Sequence, residues 1–175
     1  AMQNMDMEQM LDALEDFDYD LQEFEDQLDR FIDMFEQAIA EQKIDEVVKR
    51  LEKMVEAQES ISADLQQDDA NLSELASKER RQEKQFKNLK ETMKDASEAM
   101  EKGSESASEQ MDELLNSPLT KETESQIKDT RKELQKGQQD EASESSDKSK
   151  EKLEDMLNEV MKIQEQFQEE TVDQM

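Results

Sequence analysis

Apolar residues recur in this chain at alternating steps of three and four. Near the start they are Met7, Met10, Leu14, Phe17, Leu21, Phe24, Leu28, Phe31, Phe35 and Ala38, without a miss. A strand would need steps of two; steps averaging 3.5 line up on one edge of an α-helix and mark a seam that packs against another helix. The pattern predicts an all-α fold, an elongated antiparallel coiled coil or helical bundle of three to four long helices. Its 41% charged and 33% hydrophobic residues suit that reading, because each helix of a thin bundle buries only a stripe.

The phase of the seam divides the chain. Residues 1–4 read as a tag remnant and frayed start, with Ala1-Met2 a cloning scar, and helix one is expected over 5–41. The first frame would continue through Gln42 and Asp45, but the next apolar residues are Ile44, Val47, Val48 and Leu51. This slip is read as a tight reversal near Glu41–Asp45, the alternative being a helix that continues through a skip in the repeat. From Ile44 a second frame holds to Leu114, so one long helix is expected over 44–115. A break at 68–71 is the close alternative, with Asn71 and Glu74 spaced like a capping box. Asn116-Ser117-Pro118 is the clearest stop, since Pro suits the first turn of a new helix and Ser117 can cap it. The last helix is expected over 118–170. Both ends fall in or near helix-like sequence, which points to one elongated domain from a longer protein.

Reversals near 43 and 117 would set Met7 opposite residue 79 and Phe167 opposite residue 66. A three-helix core would then lie at 66–79, with a weakly packed arm around Gly103 and Gly137. The side chains expected to pack the seams are Leu14, Phe17, Leu21, Phe24, Leu28, Phe31 and Phe35 in helix one. Leu51, Leu65, Leu72, Phe86 and Leu89 follow in the long helix, and Leu153, Val160, Ile163 and Phe167 in the last. Polar Gln58, Asp68, Glu79, Gln82 and Gln110 interrupt the second frame, which weakens around 79–82.

Charge narrows the partners. The formal net charge is −27, and residues 1–41 hold 14 acids against one base, Arg30. Such a surface repels nucleic-acid phosphate and anionic lipid and attracts cationic partners. No apolar run approaches the roughly 20 residues that span a bilayer, so direct membrane insertion of this segment is not expected. Nor is there a basic, apolar leader at the N-terminus. Protein partners are expected and a homodimer is left open.

Chemistry is limited by what the chain lacks. It has no histidine and no cysteine, which removes the commonest general base, thiolate catalysis and the usual soft-metal ligands. Serines are abundant, but none has a histidine to activate it or sits in a strained nucleophile turn. No catalytic residue and no cofactor is predicted, and the chain is read as not an enzyme. Asp16, Asp18 and Asp20 imitate the opening of a calcium loop, yet the positions that need Gly and Glu carry Leu21 and Gln27. Met2, Met5, Met7 and Met10 form M-x-x-M-x-M-x-x-M, whose thioethers could take Cu(I); ordinary packing is the plainer reading, because Met7 and Met10 already sit on the seam. Met34, Met54, Met93, Met100, Met111, Met156 and Met161 read as core filler rather than as an adaptable binding surface.

The stretch Met10–Leu65 resembles the helical extramembrane region of a family of large uncharacterised bacterial envelope proteins anchored in a membrane. LDALEDFDYD, the phenylalanine heptads and EQKIDEVVKRLEKMVEAQE carry the resemblance, and NLSELASKERRQEKQFKNLKETM continues it. It implies an extramembrane segment, periplasmic or elsewhere in the cell envelope, and brings no catalytic residues. The expected function is that of a non-enzymatic helical scaffold or spacer mediating protein–protein contact. An acidic, Met-rich chaperone- or adaptor-like module for polypeptides is the alternative, and Cu(I) handling at the N-terminal methionines the third. Exposed apolar patches would favour binding; a fully paired seam would favour the spacer.

Overall fold

The computed structural model describes the backbone of residues 2–172 and the side chains of residue 7 and residues 9–172. Among these the fold is all-α, with α1 (Met2–Leu65), α2 (Leu72–Met100), α3 (Glu105–Asn116), α4 (Pro118–Gln135) and α5 (Gln139–Val172). Two compact units are present, residues 1–38 and residues 39–175.

The unit from Ile39 onward is built on one repeated spacing. In α1 the buried residues include Ala40, Ile44, Val47, Leu51, Met54, Gln58, Ile61 and Leu65. In α2 they include Leu75, Glu79, Gln82, Phe86, Leu89, Met93, Ala96 and Met100. Each series steps by three and four, so each helix gives one edge to the centre. Cross-helix partners show the directions. Asp64 pairs with Lys78 at 3.0 Å and Met54 O accepts from Gln82 at 2.7 Å, so α1 and α2 are antiparallel. Lys90–Glu124 and Arg131–Glu83 do the same for α2 and α4, Lys152–Glu122 for α4 and α5, and Lys150–Glu59 for α5 and α1. Four helical columns result: the second half of α1, α2, α3 with α4, and α5.

The turns depart from the expected boundaries. No reversal occurs at Glu41–Asp45, because α1 runs through it. That stretch holds no Gly or Pro, and a two-residue phase slip moves the apolar stripe to a new face without ending a helix. Helix 44–115 is instead three pieces. The chain turns at 66–71, where Asn71 caps α2 by accepting the Glu74 N–H at 3.1 Å. It turns again at 101–104, where Ser104 caps α3 by accepting the Ala107 N–H at 3.0 Å. The first turn is the alternative break at 68–71, and the second is unexpected; the periodicity marks neither, because Leu65 to Leu72 and Met100 to Ala107 are each steps of seven and the heptad phase resumes across the turn.

Ser117-Pro118 stops a helix as expected from its chemistry, yet it does not reverse the chain. Ser117 alone is extended, its hydroxyl accepts the Thr120 N–H at 3.3 Å, and both α3 and α4 pack against α2 and α5. The reversal lies within the expected 118–170 helix, at Gly137. There φ is +75°, the Gln138 N–H reaches Glu133 O at 3.0 Å and the Gly137 N–H reaches Leu134 O at 3.1 Å. This is a Schellman ending, which needs the left-handed conformation that glycine adopts without strain.

The expected opposition of Phe167 to residue 66 therefore fails. Phe167 lies at the other end of its column, where its ring sits 3.0 Å from the point a Gly103 Cβ would occupy. Gly103 and Gly137 do not share a weak arm; they lie in separate turns. The helices that read as poor in apolar residues keep the spacing with hydroxyls, through Thr120, Thr123, Ile127, Thr130 and Leu134 in α4 and Ala142, Ser146, Ser149 and Leu153 in α5, all buried. Thr123, Thr130 and Ser149 donate back to the carbonyl four residues earlier, at 2.7, 2.8 and 2.9 Å, so these buried hydroxyls carry no unmet donor.

Candidate functional site: an exposed apolar helix face and a buried polar layer

Two features stand out from ordinary packing. The first is the opening of α1, described by itself. Leu14, Phe17, Leu21, Phe24, Leu28, Phe31 and Phe35, expected to be packed, are all exposed, from 45% for Leu21 to 74% for Phe31. The expectation failed because it took the phase slip at 41–45 for a fold-back that would have covered them. Met7, Met10, Leu11, Ile32, Met34 and Ile39 widen the exposed stripe. Single exposed apolar residues are normal, whereas a continuous stripe of large ones marks an interaction site.

Its flanks are acidic. With the seam on heptad positions a and d, the bordering positions carry Asp18, Asp20 and Glu25 and no base. Arg30, the one cation of this stretch, falls on an outer position.

The second feature lies inside the four columns. Two apolar clusters, one around Phe86, Leu89, Met93 and Phe167 and one around Ile61, Leu65, Leu75, Leu134 and Ala142, are separate. Between them α1, α2, α4 and α5 each place polar side chains at seam positions: Gln58, Glu79 with Gln82, Thr130, and Ser146 with Ser149. All are buried. The Gln58 amide donates to Glu79 Oε1 and to Ser146 Oγ, the latter at 2.8 Å. Gln82 donates to Met54 O at 2.7 Å and to Gln58 Oε1 at 3.2 Å, and the Ser62 and Ser146 hydroxyls meet at 2.7 Å. Glu79 Oε2 is buried without a hydrogen-bond partner. Burial pushes the Glu79 carboxyl up to about 7, the Gln58 hydrogen bond working against that rise and the charge of Glu83 adding to it. Desolvation wins because one amide donor cannot replace the water shell of a carboxylate.

The remaining seam residues, Leu51, Leu65, Phe86, Leu89, Leu153, Val160, Ile163 and Phe167, are buried, and Leu72 is half-buried. Of the methionines read as filler, Met54, Met93, Met100, Met111 and Met156 are buried, whereas Met34 and Met161 are exposed. Met7 and Met10 are exposed, and the side chains of Met2 and Met5 lie outside the described residues. Asp16, Asp18 and Asp20 are exposed along α1, and no group of three or more acids is placed to hold a metal ion among the described residues. Ser62 and Ser146 were not singled out by sequence reasoning. The signal was there in part: Gln58, Glu79 and Gln82 occupy seam positions, and a polar residue there needs partners from the facing helices.

An open groove of about 870 Å³ runs between α1 and α2, with Lys49, Arg50, Lys53, Lys78 and Arg81 on its walls. Lys49 and Arg50 are held by Asp45 and Glu46 one turn earlier, and Lys78 by Asp64. These pairs leave the groove only weakly basic. Among the described residues no helix is long and apolar enough to cross a membrane. Comparison with known proteins finds no matching family model, no matching curated protein and no matching solved structure.

Proposed function

We propose that this chain is a non-enzymatic helical scaffold segment that works by protein–protein contact, with the opening of α1 as the contact surface and the heptad-packed columns as a coiled-coil-like bundle. One observation carries the reading: the helix face from Met7 to Ile39 exposes large apolar side chains at nearly every seam position. Keeping such a face in water is unfavourable by roughly 25 cal/mol per Å², which a partner would recover on covering it. The resemblance of Met10–Leu65 to membrane-anchored envelope proteins supports an envelope, periplasmic setting for that contact.

The same exposed face supports an adaptor or chaperone-like role as the second reading. The character of the face favours a defined partner instead. Its central anchors are four phenylalanines, Phe17, Phe24, Phe31 and Phe35, rigid side chains of the kind that dominate specific interfaces, and they outnumber the flexible methionines described on the same face, Met7, Met10 and Met34.

Site-directed photo-crosslinking in envelope extracts tests the reading. A crosslinker placed at Phe24 is expected to trap one discrete protein, and one at Glu98, on the exposed side of α2, to trap none. Equal, diffuse labelling from both positions would overturn the proposal.

A further inference from the structure

We infer that the exposed face of α1 receives a basic amphipathic helix, and that its own charge rejects a second copy of the chain. The inference rests on the protein-contact reading above and names the partner's chemistry.

A stripe with one apolar residue at each a and d position over Met7–Ala38 has the form that a facing helix fills by knobs-into-holes packing. Aromatic d positions at Phe17, Phe24 and Phe31 fix where the knobs go. A groove-lined or sheet-like partner would not match a stripe this long with a knob at every step of three and four.

Charge then selects among helices. The flanking positions e and g touch the partner's flanks, and in this stretch their charged members are Asp18, Asp20 and Glu25. A second copy would bring acid against acid in either orientation, parallel or antiparallel. It would also set 14 acids and one base of residues 1–41 beside the same set again. Like charges facing one another across a helix pair are destabilising, and no attractive pair is available to offset them. A helix with Lys or Arg on its flanks gains where the copy loses. It pairs with all three acids and partly neutralises a segment whose repulsion is otherwise relieved only by salt.

The experiment uses the full chain and two synthetic helices of about four heptads. Both carry Leu at a and d; one has Lys at e and g, the other Glu. Lysine flanks also keep the first peptide from pairing with itself. Binding is followed by calorimetry, and sedimentation equilibrium reports the state of the chain alone. The Lys peptide is expected to bind one to one, at least about 10-fold more tightly than the Glu peptide, and to weaken as salt rises. Phe24→Ala is expected to weaken it about 30-fold, as the loss of a central aromatic anchor does. Because Phe24 is exposed, circular dichroism should show both forms equally folded. The triple change Asp18→Lys, Asp20→Lys, Glu25→Lys is expected to reverse the peptide preference.

Four results would overturn the inference. A chain dimer lost on Phe24→Ala would make a second copy the occupant. Lys-peptide binding indifferent to Phe24→Ala would reduce the contact to bare charge. Equal binding of both peptides, lost on Phe24→Ala, would remove charge selection while leaving the protein-contact reading standing. Binding of neither peptide overturns the inference too, and the Phe24 crosslink then decides separately whether the contact reading falls with it.

Discussion

Two stretches of α1 share one spacing and meet opposite fates. From Leu14 to Phe35 the seam residues lie in water; from Ile44 to Leu65 every seam position is buried against α2 and α5. The exposed stretch is the more aromatic of the two. Apolar periodicity therefore states that a face is fit to be covered and does not state by what. The covered stretch has partners within reach because the chain turns at 66–71 and brings α2 back along it. The uncovered stretch has fourfold aromatic anchors, acidic flanks and no base beside them, which is why its occupant is sought outside the chain.

The contrast is open to direct challenge by substitution. Phe86→Ala, in the covered set, is expected to cost about 3–5 kcal/mol, the usual loss for a core phenylalanine. Phe24→Ala should shift unfolding by under about 0.5 kcal/mol, as exposed substitutions do. Urea denaturation of both variants decides the matter, and equal losses would mean that the α1 face is buried in solution.

The polar layer gives the next largest effect. The Glu79 carboxyl titrates near 7 in the folded protein against an ordinary value of 4.5, so between those values the native state holds a proton that the unfolded chain has released. Stability from this group is thus full below about 4.5, falls as pH rises, and is gone above about 7, a change on the order of 3 kcal/mol. Glu124, Glu144 and Glu170 have the opposite sense. Glu124, for example, is held below the usual carboxylate range, chiefly by its hydrogen bond from Lys90. The test is accordingly the difference between the native chain and Glu79→Gln. That variant should gain about 1–2 kcal/mol at pH 8, less than the full amount because its amide leaves a buried donor unmet. At pH 4, where Glu79 is protonated, only the unmet amide donor is left and the variant should be less stable than the native chain by about 1–2 kcal/mol; a difference independent of pH would place Glu79 in water.

Smaller again is the turn at Gly137. A side chain there meets no neighbour, but φ of +75° strains any L-residue, so Gly137→Ala should cost about 1–2 kcal/mol. Gly103→Ala acts through space instead, against the Phe167 ring and Thr171, and should cost about 1 kcal/mol as mild overpacking. Both are read from thermal unfolding. Smallest of all is the surface pair Lys152–Glu122, whose removal should change stability by under about 1 kcal/mol.

Much of this was legible in the chain before any coordinates. The all-α fold, the core stripe at Leu51, Phe86, Leu89, Leu153, Val160, Ile163 and Phe167, the cap at Asn71 and the stop at Ser117 follow from spacing and local stereochemistry. The turn at 101–104 does not, and that at 66–71 reads only as an alternative break, because the seam residues on either side of each are seven apart and the heptad phase is unbroken. The buried layer was half legible: Gln58, Glu79 and Gln82 announced themselves as polar residues on a seam, while Ser62 and Ser146 looked like any serines of a Ser-rich helix.

What local chemistry settled was which edge of each helix is apolar, since side-chain periodicity along a helix is fixed by 3.6 residues per turn and by nothing distant. What folding in three dimensions settled was which edges meet. That depends on where the chain reverses: a reversal that preserves the heptad phase leaves no mark in the periodicity, and a phase slip leaves a mark where there is no reversal at all. For the same reason the seven apolar residues of helix one read as core and stand in solvent, and the Glu79 carboxyl, one acid among 49 in the sequence, acquires its displaced titration only once packing buries it away from water.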